Sequence, residues 1–369
     1  MPHQFKRLFN KYINKKKIYI IAEAGVNHNG RISVAKKLIL EAKKAGADAI
    51  KFQLFLAEDV VTKKAKKTDY QIKNTKNSES QYSMIKKLEL KNKDFIKLKK
   101  IADLNNIDFV ASIFDTNSLR FLTSNLKLPI IKIPSGEITN YPLLNEINYK
   151  KNYIFLSTGM SSLKEIVEAI NCICKKSVFS INNEKIKIIN KKIHNEIKKK
   201  IFIFHSVTDY PVEDTFANLN CIETLRKKLD LFIGYSDHTL GTNASLIAVA
   251  KEAIIIEKHF TLNNNMNGPD HLASLNPKNF KKLTLKIRQY ESLIGDGIKK
   301  IQRCEIKNAK LVRKSIVARK IIKKNDFFNL KNITTKRPGI GLSPFLIKKL
   351  LNKKATKDYL KDELIKLYK

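Results

Sequence analysis

The chain has 369 residues, 43% of them hydrophobic, which suits a large buried core and leaves room for a barrel with a small appendage. No apolar run approaches the ~20 residues of a membrane span, and no apolar signal-peptide core follows the basic extension 1–17, so a cytoplasmic protein without membrane contact is expected. The formal charge of +38, from 72 Lys and Arg against 34 Asp and Glu, is spread along the chain and not interleaved with aromatic residues. It predicts attraction of small anions and no specific nucleic-acid partner. Cys172, Cys174, Cys221 and Cys304 show no CxxC spacing and read as reduced thiols.

In chain order, apolar runs of strand length alternate with segments apolar at helical spacing. Strands are predicted at 18–24, 48–55, 108–114, 130–135, 153–158, 201–207, 231–236 and 254–260. Helices are predicted at 32–45, 92–105, 117–125, 142–148, 161–174, 218–228, 241–252 and 277–293. Eight strands, each followed by a helix, predict an α/β fold with a (β/α)8 TIM barrel over 18–293. Polar residues collect where the strands end: Glu23, Lys51 and Gln53, Ser112, Lys132 and Ser135, Thr158, Tyr210, His238, then Glu257 and His259. In a barrel these ends form one rim, where such folds carry their sites.

Two stretches interrupt the alternation. Residues 60–90 form a long loop ending in a short amphipathic helix, and a loop of that length in a compact domain reads as a lid or binding loop. Residues 176–200, rich in Lys, Asn and Ile, read as an insertion forming a solvated helix or extended loop. Beyond the barrel, 294–310 reads as a linker and 311–369 as a small β-rich domain with turns at its Pro and Gly residues.

The segment from Gly234 to His271 carries the sharpest chemical signal. Period-two alternation puts Ser236 and His238 on one strand face, and Glu257 and His259 on another. The helical segment between them makes a parallel crossover, so both imidazoles face one pocket. Two imidazoles, a carboxylate and the loop Gly268-Pro-Asp-His271 suit a metal site; the plain alternative is a pair of hydrogen-bonded structural histidines.

The motifs Ala22-Glu-Ala-Gly-Val-Asn-His-Asn-Gly30, Ala47-Asp-Ala-Ile-Lys-Phe-Gln53, Lys132-Ile-Pro-Ser-Gly-Glu137, Ser157-Thr-Gly-Met160, Gly234-Tyr-Ser-Asp-His-Thr239, Glu257-Lys-His-Phe260, Gly268-Pro-Asp-His271 and Lys336-Arg-Pro-Gly339 run the length of the chain. In these the sequence resembles the sialic acid synthase family. The resemblance implies a barrel with a small antifreeze-like (SAF) cap, a domain-swapped homodimer and a divalent metal. It implies condensation of phosphoenolpyruvate with N-acetylmannosamine or a related hexose to a nine-carbon 2-keto acid, with C–O cleavage and phosphate release.

By the same resemblance His238 and His259 would hold the metal, Mn2+ or Mg2+ in preference to zinc because the remaining ligands would be hard oxygens. Lys51, Lys132, Ser135, Ser157 and Ser236 match the phosphate pocket, with Ser112 and Phe114 alongside. Glu23 would stabilise charge at the second carbon of phosphoenolpyruvate or take a proton from the attacking water. Gln53, Tyr210, Glu257, Asp270, the cap's Arg337 and Asn74 of the long loop are the expected sugar contacts.

Two departures bear on the substrate. Ala-Ser-Ile-Phe114 stands where many members have Ser-Thr-Pro-Phe, and His205-Ser-Val-Thr-Asp-Tyr-Pro211 replaces a common Cys-Thr pair. Thr208 and Asp209 thus stand where sugar-reading residues vary. N-acetylneuraminate synthesis is the leading expectation. The alternatives are a legionaminate- or pseudaminate-type synthase acting on a 2,4-diacetamido-6-deoxyhexose, or a non-catalytic sugar- or nucleic-acid-binding protein on a decayed barrel.

Overall fold

The computed structural model describes residues 17–75 and 79–367, which divide after Gly295 into two compact units. Of the expected basic extension 1–17, residues 1–16 lie outside the described residues. The first unit is built on eight parallel strands: β1 (Tyr19–Gly25), β2 (Ala49–Leu54), β3 (Asp108–Ile113), β4 (Ile130–Ile133), β5 (Tyr153–Ser157), β6 (Ile201–Ser206), β7 (Phe232–Asp237) and β8 (Ile255–His259). Each pairs with its neighbour in sequence, and β1 closes on β8 with Glu23 opposite His259. Helices follow the strands at Ile32–Lys44, Asn92–Leu104, Thr116–Arg120, Tyr141–Glu146, Leu163–Cys174, Asn220–Leu229, Asn243–Ala250 and Pro277–Leu293. The expected barrel is present. The expected helix 117–125 differs, starting as α-helix and widening into a π-turn at Phe121–Asn125.

Strand periodicity divides the barrel into a dry half and a charged half. Ile21, Ala49, Val110, Ile130, Phe155 and Ile255 belong to one buried apolar cluster. Two residues further along each strand, and so on the same face, stand Glu23, Lys51, Ser112, Lys132, Ser157 and Glu257. The alternate residues, among them Ile20, Ala22, Phe52, Ile131, Ile154, Ile203 and Ile256, pack outward against the helices in the larger core. At roughly 1.5–3 kcal/mol for each large apolar side chain, this shell offsets the cost of placing charges inside. Gly234 is needed on the inner face of β7, since a Cβ there would stand 2.9 Å from the Phe204 ring.

The insertion is more ordered than expected. Phe179–Asn182 and Lys185–Ile188 form an antiparallel hairpin, followed by a helix at Lys191–Ile197. Its two-residue turn has positive φ at both Asn183 (45°) and Glu184 (59°), the backbone that two-residue hairpins favour.

The second unit pairs Ser315–Ala318 with Ile333–Lys336 antiparallel, and packs Ile316, Ile322, Phe328, Ile333, Leu350, Tyr359 and Ile365 into its own core. Part of the expected linker belongs to it: Ile306–Val312 is helical, and the Gly339 amide donates to the Lys310 carbonyl at 2.7 Å. Among the described residues no helix is long and apolar enough to cross a membrane, and the four cysteines are free thiols.

Candidate active site

At the carboxyl ends of the strands lies a cavity of about 570 Å³. Two lysines and two glutamates from four different strands meet at its floor. Lys51 Nζ stands 3.0 Å from Glu23 Oε2 and 3.3 Å from Glu257 Oε1, and donates to Ser112 Oγ at 2.9 Å. Lys132 Nζ stands 3.3 Å from Glu257 Oε2 and 3.6 Å from the centre of the Phe204 ring, with no hydrogen-bond partner among the described residues. Ser236 donates to Glu257 Oε1 at 2.6 Å.

These contacts set the protonation states. Burial pushes Glu257 up, but Lys132, Lys51 and the Ser236 hydroxyl outweigh it and hold the carboxyl well below the usual range. Burial raises Glu23 above the ordinary carboxylate range, and Lys51 opposes it only in part. Lys51 is raised because its two carboxylates overcome burial. Lys132 has Glu257 alone at close range, and burial lowers it to about 8. The floor therefore has one firmly ionised carboxylate, one carboxyl poised to carry a proton, and an ammonium with unspent donors.

Beside them is a group of hydroxyls. Ser135 Oγ lies 3.2 Å from Ser206 Oγ and accepts from the Gly159 amide at 3.0 Å, while Thr208 Oγ1 is buried without a partner. A Cβ on Gly159 would come within 2.8 Å of Ser135 Oγ and closer still to Thr208, so glycine alone leaves the hydroxyls together. Ser112, Ser157 and Ser236 line the same cavity. Ammonium groups with many hydroxyl donors are the chemistry of a phosphate or carboxylate site.

On the other side are the imidazoles of His238 and His259, ring centres 5.5 Å apart. His238 Nδ1 donates to the Val207 carbonyl at 2.6 Å, which leaves Nε2 as the lone-pair nitrogen. His259 Nδ1 is buried and has no hydrogen-bond partner among the described residues. Burial lowers His238 to about 4 and His259 well below its usual value, so both rings are neutral at pH 7. Neutral imidazoles are what a metal ion requires, and the Val207 carbonyl orients that of His238. Among the described residues no group of three or more His, Cys, Asp or Glu is placed to hold an ion. The nitrogen donors available to an ion in this cavity are the pair of neutral imidazoles, His238 and His259.

The long second loop forms helices at Ala57–Val60, Asp69–Thr75 and Gln81–Leu88, and reaches over the cavity. Asn74 Nδ2 donates to the Pro269 carbonyl at 2.6 Å, and the Tyr70 ring packs on Tyr210 at 5.0 Å. Tyr210 in turn packs on His238 at 4.2 Å. The loop is thus attached to the elements that carry the imidazoles.

The cavity brings together Glu23, Lys51, Gln53, Ser112, Phe114, Lys132, Ser135, Ser157, Tyr210, Ser236, His238, Glu257, His259 and Asp270. Asp270 has its carboxyl raised to about 7 by burial. Asn74 is not among the lining residues; its amide is used to anchor the loop. Arg337 is exposed in the second unit, directly after the strand Ile333–Lys336. Sequence reasoning missed Tyr70, Gln71, Gln81 and Met84, which line the cavity from the long loop. It also missed the ion pair of Asp237 and Lys258 (3.0 Å, both fully buried), which ties β7 to β8 behind the histidines. Period two supplies that signal, since the residues flanking His238 and Glu257 must face outward.

Residues 38–299 match the NeuB family. An N,N'-diacetyllegionaminic acid synthase of Campylobacter jejuni is 48% identical over 351 residues, covering 95% of this chain and 99% of that protein. A protein of the same name from Legionella pneumophila is 40% identical, covering 88% and 87%. Among solved structures, an N-acetylneuraminic acid synthetase of Leptospira borgpetersenii superposes with a TM-score of 0.64 at 31% identity, over 80% of this chain and 90% of that one.

Proposed function

The chain belongs to the NeuB family, and we propose that it condenses phosphoenolpyruvate with a 2,4-diacetamido-6-deoxyhexose to a legionaminate-type nine-carbon 2-keto acid. Synthesis of a nine-carbon sugar acid is common ground among its relatives; the choice of hexose is the proposed part. The buried pair Lys51 and Lys132, set among hydroxyls, carries the reading, because it suits a small substrate with both a phosphate and a carboxylate. For the sugar, the support is the relatives at 48% and 40% identity, against 31% for the neuraminic acid synthetase. N-acetylmannosamine, the first expectation, therefore gives way to the diacetamido sugar. The convergence of charges and imidazoles on one cavity speaks against a decayed barrel.

The chain's own groups account for the reaction as follows. Lys51, Lys132 and the hydroxyls of Ser112, Ser135, Ser157 and Ser236 hold the anionic substrate and orient its double bond. Its methylene carbon bonds to the sugar aldehyde carbon as the aldehyde π bond opens, and the resulting alkoxide takes a proton from solvent to become a hydroxyl. Positive charge develops on the second carbon beside Glu23 and Glu257, whose carboxylates stabilise it. Water adds to that carbon, and Glu23, with its raised pKa, takes the water's proton. The C–O bond to phosphate then breaks as the new hydroxyl passes its proton to the departing phosphate, leaving the ketone, with Lys51 and Lys132 balancing the charge on the phosphate.

A divalent ion, Mn2+ or Mg2+, would be held by His238 and His259 and would supply Lewis-acid polarisation of the aldehyde when bound. On the same reading the second unit is an antifreeze-like cap whose Arg337 serves the sugar in a domain-swapped homodimer. The support for that part is the Lys336-Arg-Pro-Gly339 motif. The test of the whole is phosphate release from phosphoenolpyruvate and Mn2+ with each candidate hexose in turn. Fastest release is expected with the diacetamido sugar; release with no sugar, or faster release with N-acetylmannosamine, would overturn the assignment.

A further inference from the structure

Gln71 and Gln81 sit side by side on the cavity wall formed by the long second loop. Gln81 Nε2 donates to Gln71 Oε1 at 3.4 Å, and the Thr68 amide donates to the same oxygen at 3.1 Å. That leaves Gln81 Oε1 as an acceptor without a partner among the described residues. Gln71, itself 8% exposed, has in Nε2 a donor whose one contact is the Tyr70 hydroxyl at 3.4 Å. Next to this amide pair the wall turns apolar: Val60, Met84, Ile85 and Leu88 line the cavity and pack with Phe55 and Phe114. Ser80 caps the helix that presents Gln81, Met84, Ile85 and Leu88, accepting from the Ser83 amide at 3.2 Å. One free acceptor, one free donor and an adjoining apolar wall match in kind the parts of an acetamido group, which offers an N–H, a carbonyl and a methyl.

We infer that Gln71, Gln81 and Met84 form the subsite that reads the 4-acetamido group of the sugar and make the second loop the specificity element of the enzyme. The inference rests on the diacetamido reading above. N-acetylmannosamine shares the 2-acetamido group and carries a hydroxyl where the diacetamido sugar has its second acetamido group, so a subsite for that second group is what separates the two sugars. A hydroxyl at that carbon cannot reach both amides and fill the apolar wall, and a site built for hydrogen bonds discriminates strongly against an analogue that leaves them unmade.

The test compares two sugars differing at that carbon alone: the 2,4-diacetamido-6-deoxyhexose and its analogue with a 4-hydroxyl. The full-length protein is assayed with phosphoenolpyruvate and Mn2+. Wild type prefers the diacetamido sugar. Gln81→Ala and Met84→Ala should each cut that preference about tenfold to a hundredfold, mainly through KM for the diacetamido sugar, with KM for phosphoenolpyruvate unchanged. Gln81→Met, which keeps the side-chain length without the amide, repeats the measurement if the alanine variant melts at a lower temperature. Equal losses with both sugars would make the loop a general cover and overturn the inference, as would no loss with either. A wild type that turns over N-acetylmannosamine and not the diacetamido sugar removes the parent reading as well, and that result is read before any variant is made.

Discussion

Replacing Lys132 with methionine is expected to stabilise the barrel while disabling the enzyme. The lysine is 1% exposed and is compensated at close range by Glu257 and the Phe204 ring alone. Burial lowers its pKa from 10.5 to about 8 even with Glu257 present. At about 1.4 kcal/mol per pH unit, holding that charge costs roughly 3 kcal/mol of folding free energy at neutral pH. Methionine fills a similar volume without charge. Against this gain stands the loss of one partner of Glu257, and stranding a buried carboxylate altogether costs about 3–5 kcal/mol. Glu257 is not stranded, because Lys51 at 3.3 Å and the Ser236 hydroxyl at 2.6 Å remain. The balance favours Lys132→Met by about 1–3 kcal/mol.

The pH dependence has a definite sign. The folded-state pKa of Lys132 lies below the unfolded one, so between about pH 8 and 10.5 the unfolded chain holds the extra proton. Wild-type stability should therefore gain a contribution of roughly 3 kcal/mol as pH rises through that window, and Lys132→Met should lack it. Urea denaturation followed by far-ultraviolet circular dichroism reads the difference, the chain having no tryptophan to report it. A variant less stable than wild type at neutral pH, or showing the same alkaline gain, would refute the view that this cation is kept at a structural cost for binding. In the same variant kcat/KM for phosphoenolpyruvate should drop about 10–150-fold, the equivalent of one charged hydrogen bond of about 1.5–3 kcal/mol.

His238→Ala and His259→Ala should each lose Mn2+-dependent turnover and metal retained on dialysis, while far-ultraviolet dichroism stays unchanged; near wild-type turnover with the same Mn2+ dependence would remove the metal assignment. With 18O in the bridging position of phosphoenolpyruvate, the label should leave in inorganic phosphate, and label kept in the keto acid would refute the role given to Glu23. Mixing Arg337→Ala with His238→Ala chains should restore activity if the arginine serves a partner's barrel, since one intact barrel then meets one intact cap; a verified heterodimer without activity would rule out the swapped arrangement.

The barrel was legible because its strands obey period two along their whole length. In β2 and β4 the same alternation that buries Ile50, Phe52, Ile131 and Ile133 outward delivers Lys51 and Lys132 inward, so the floor of the site could be named before its geometry was known. The long loop was legible as an element but not residue by residue. Its Gln71 and Gln81 lie ten positions apart on two short helices, and no sequence period brings such helices together. The hairpin at 179–188 was hidden for another reason. Lys-Ile-Lys-Ile188 alternates as an edge strand should, but in a chain so rich in lysine and isoleucine the pattern hardly differs from background. Helix Ile306–Val312 lacks any buried residue, so no apolar stripe announced it.

The pairing of Glu257 with both lysines has a consequence for how the protein is made. Synthesis delivers Glu23, Lys51 and Lys132 early and Glu257 only with the last strand of the barrel. Nascent chains fold from the amino terminus as they emerge, so for most of translation the two ammonium groups lack their shared counter-ion and must stay in water. They become burial-competent when β8 docks between β7 and β1, the step that also removes the last open sheet edges. Ring closure thus brings Lys132 its carboxylate and Lys51 its second, after Glu23.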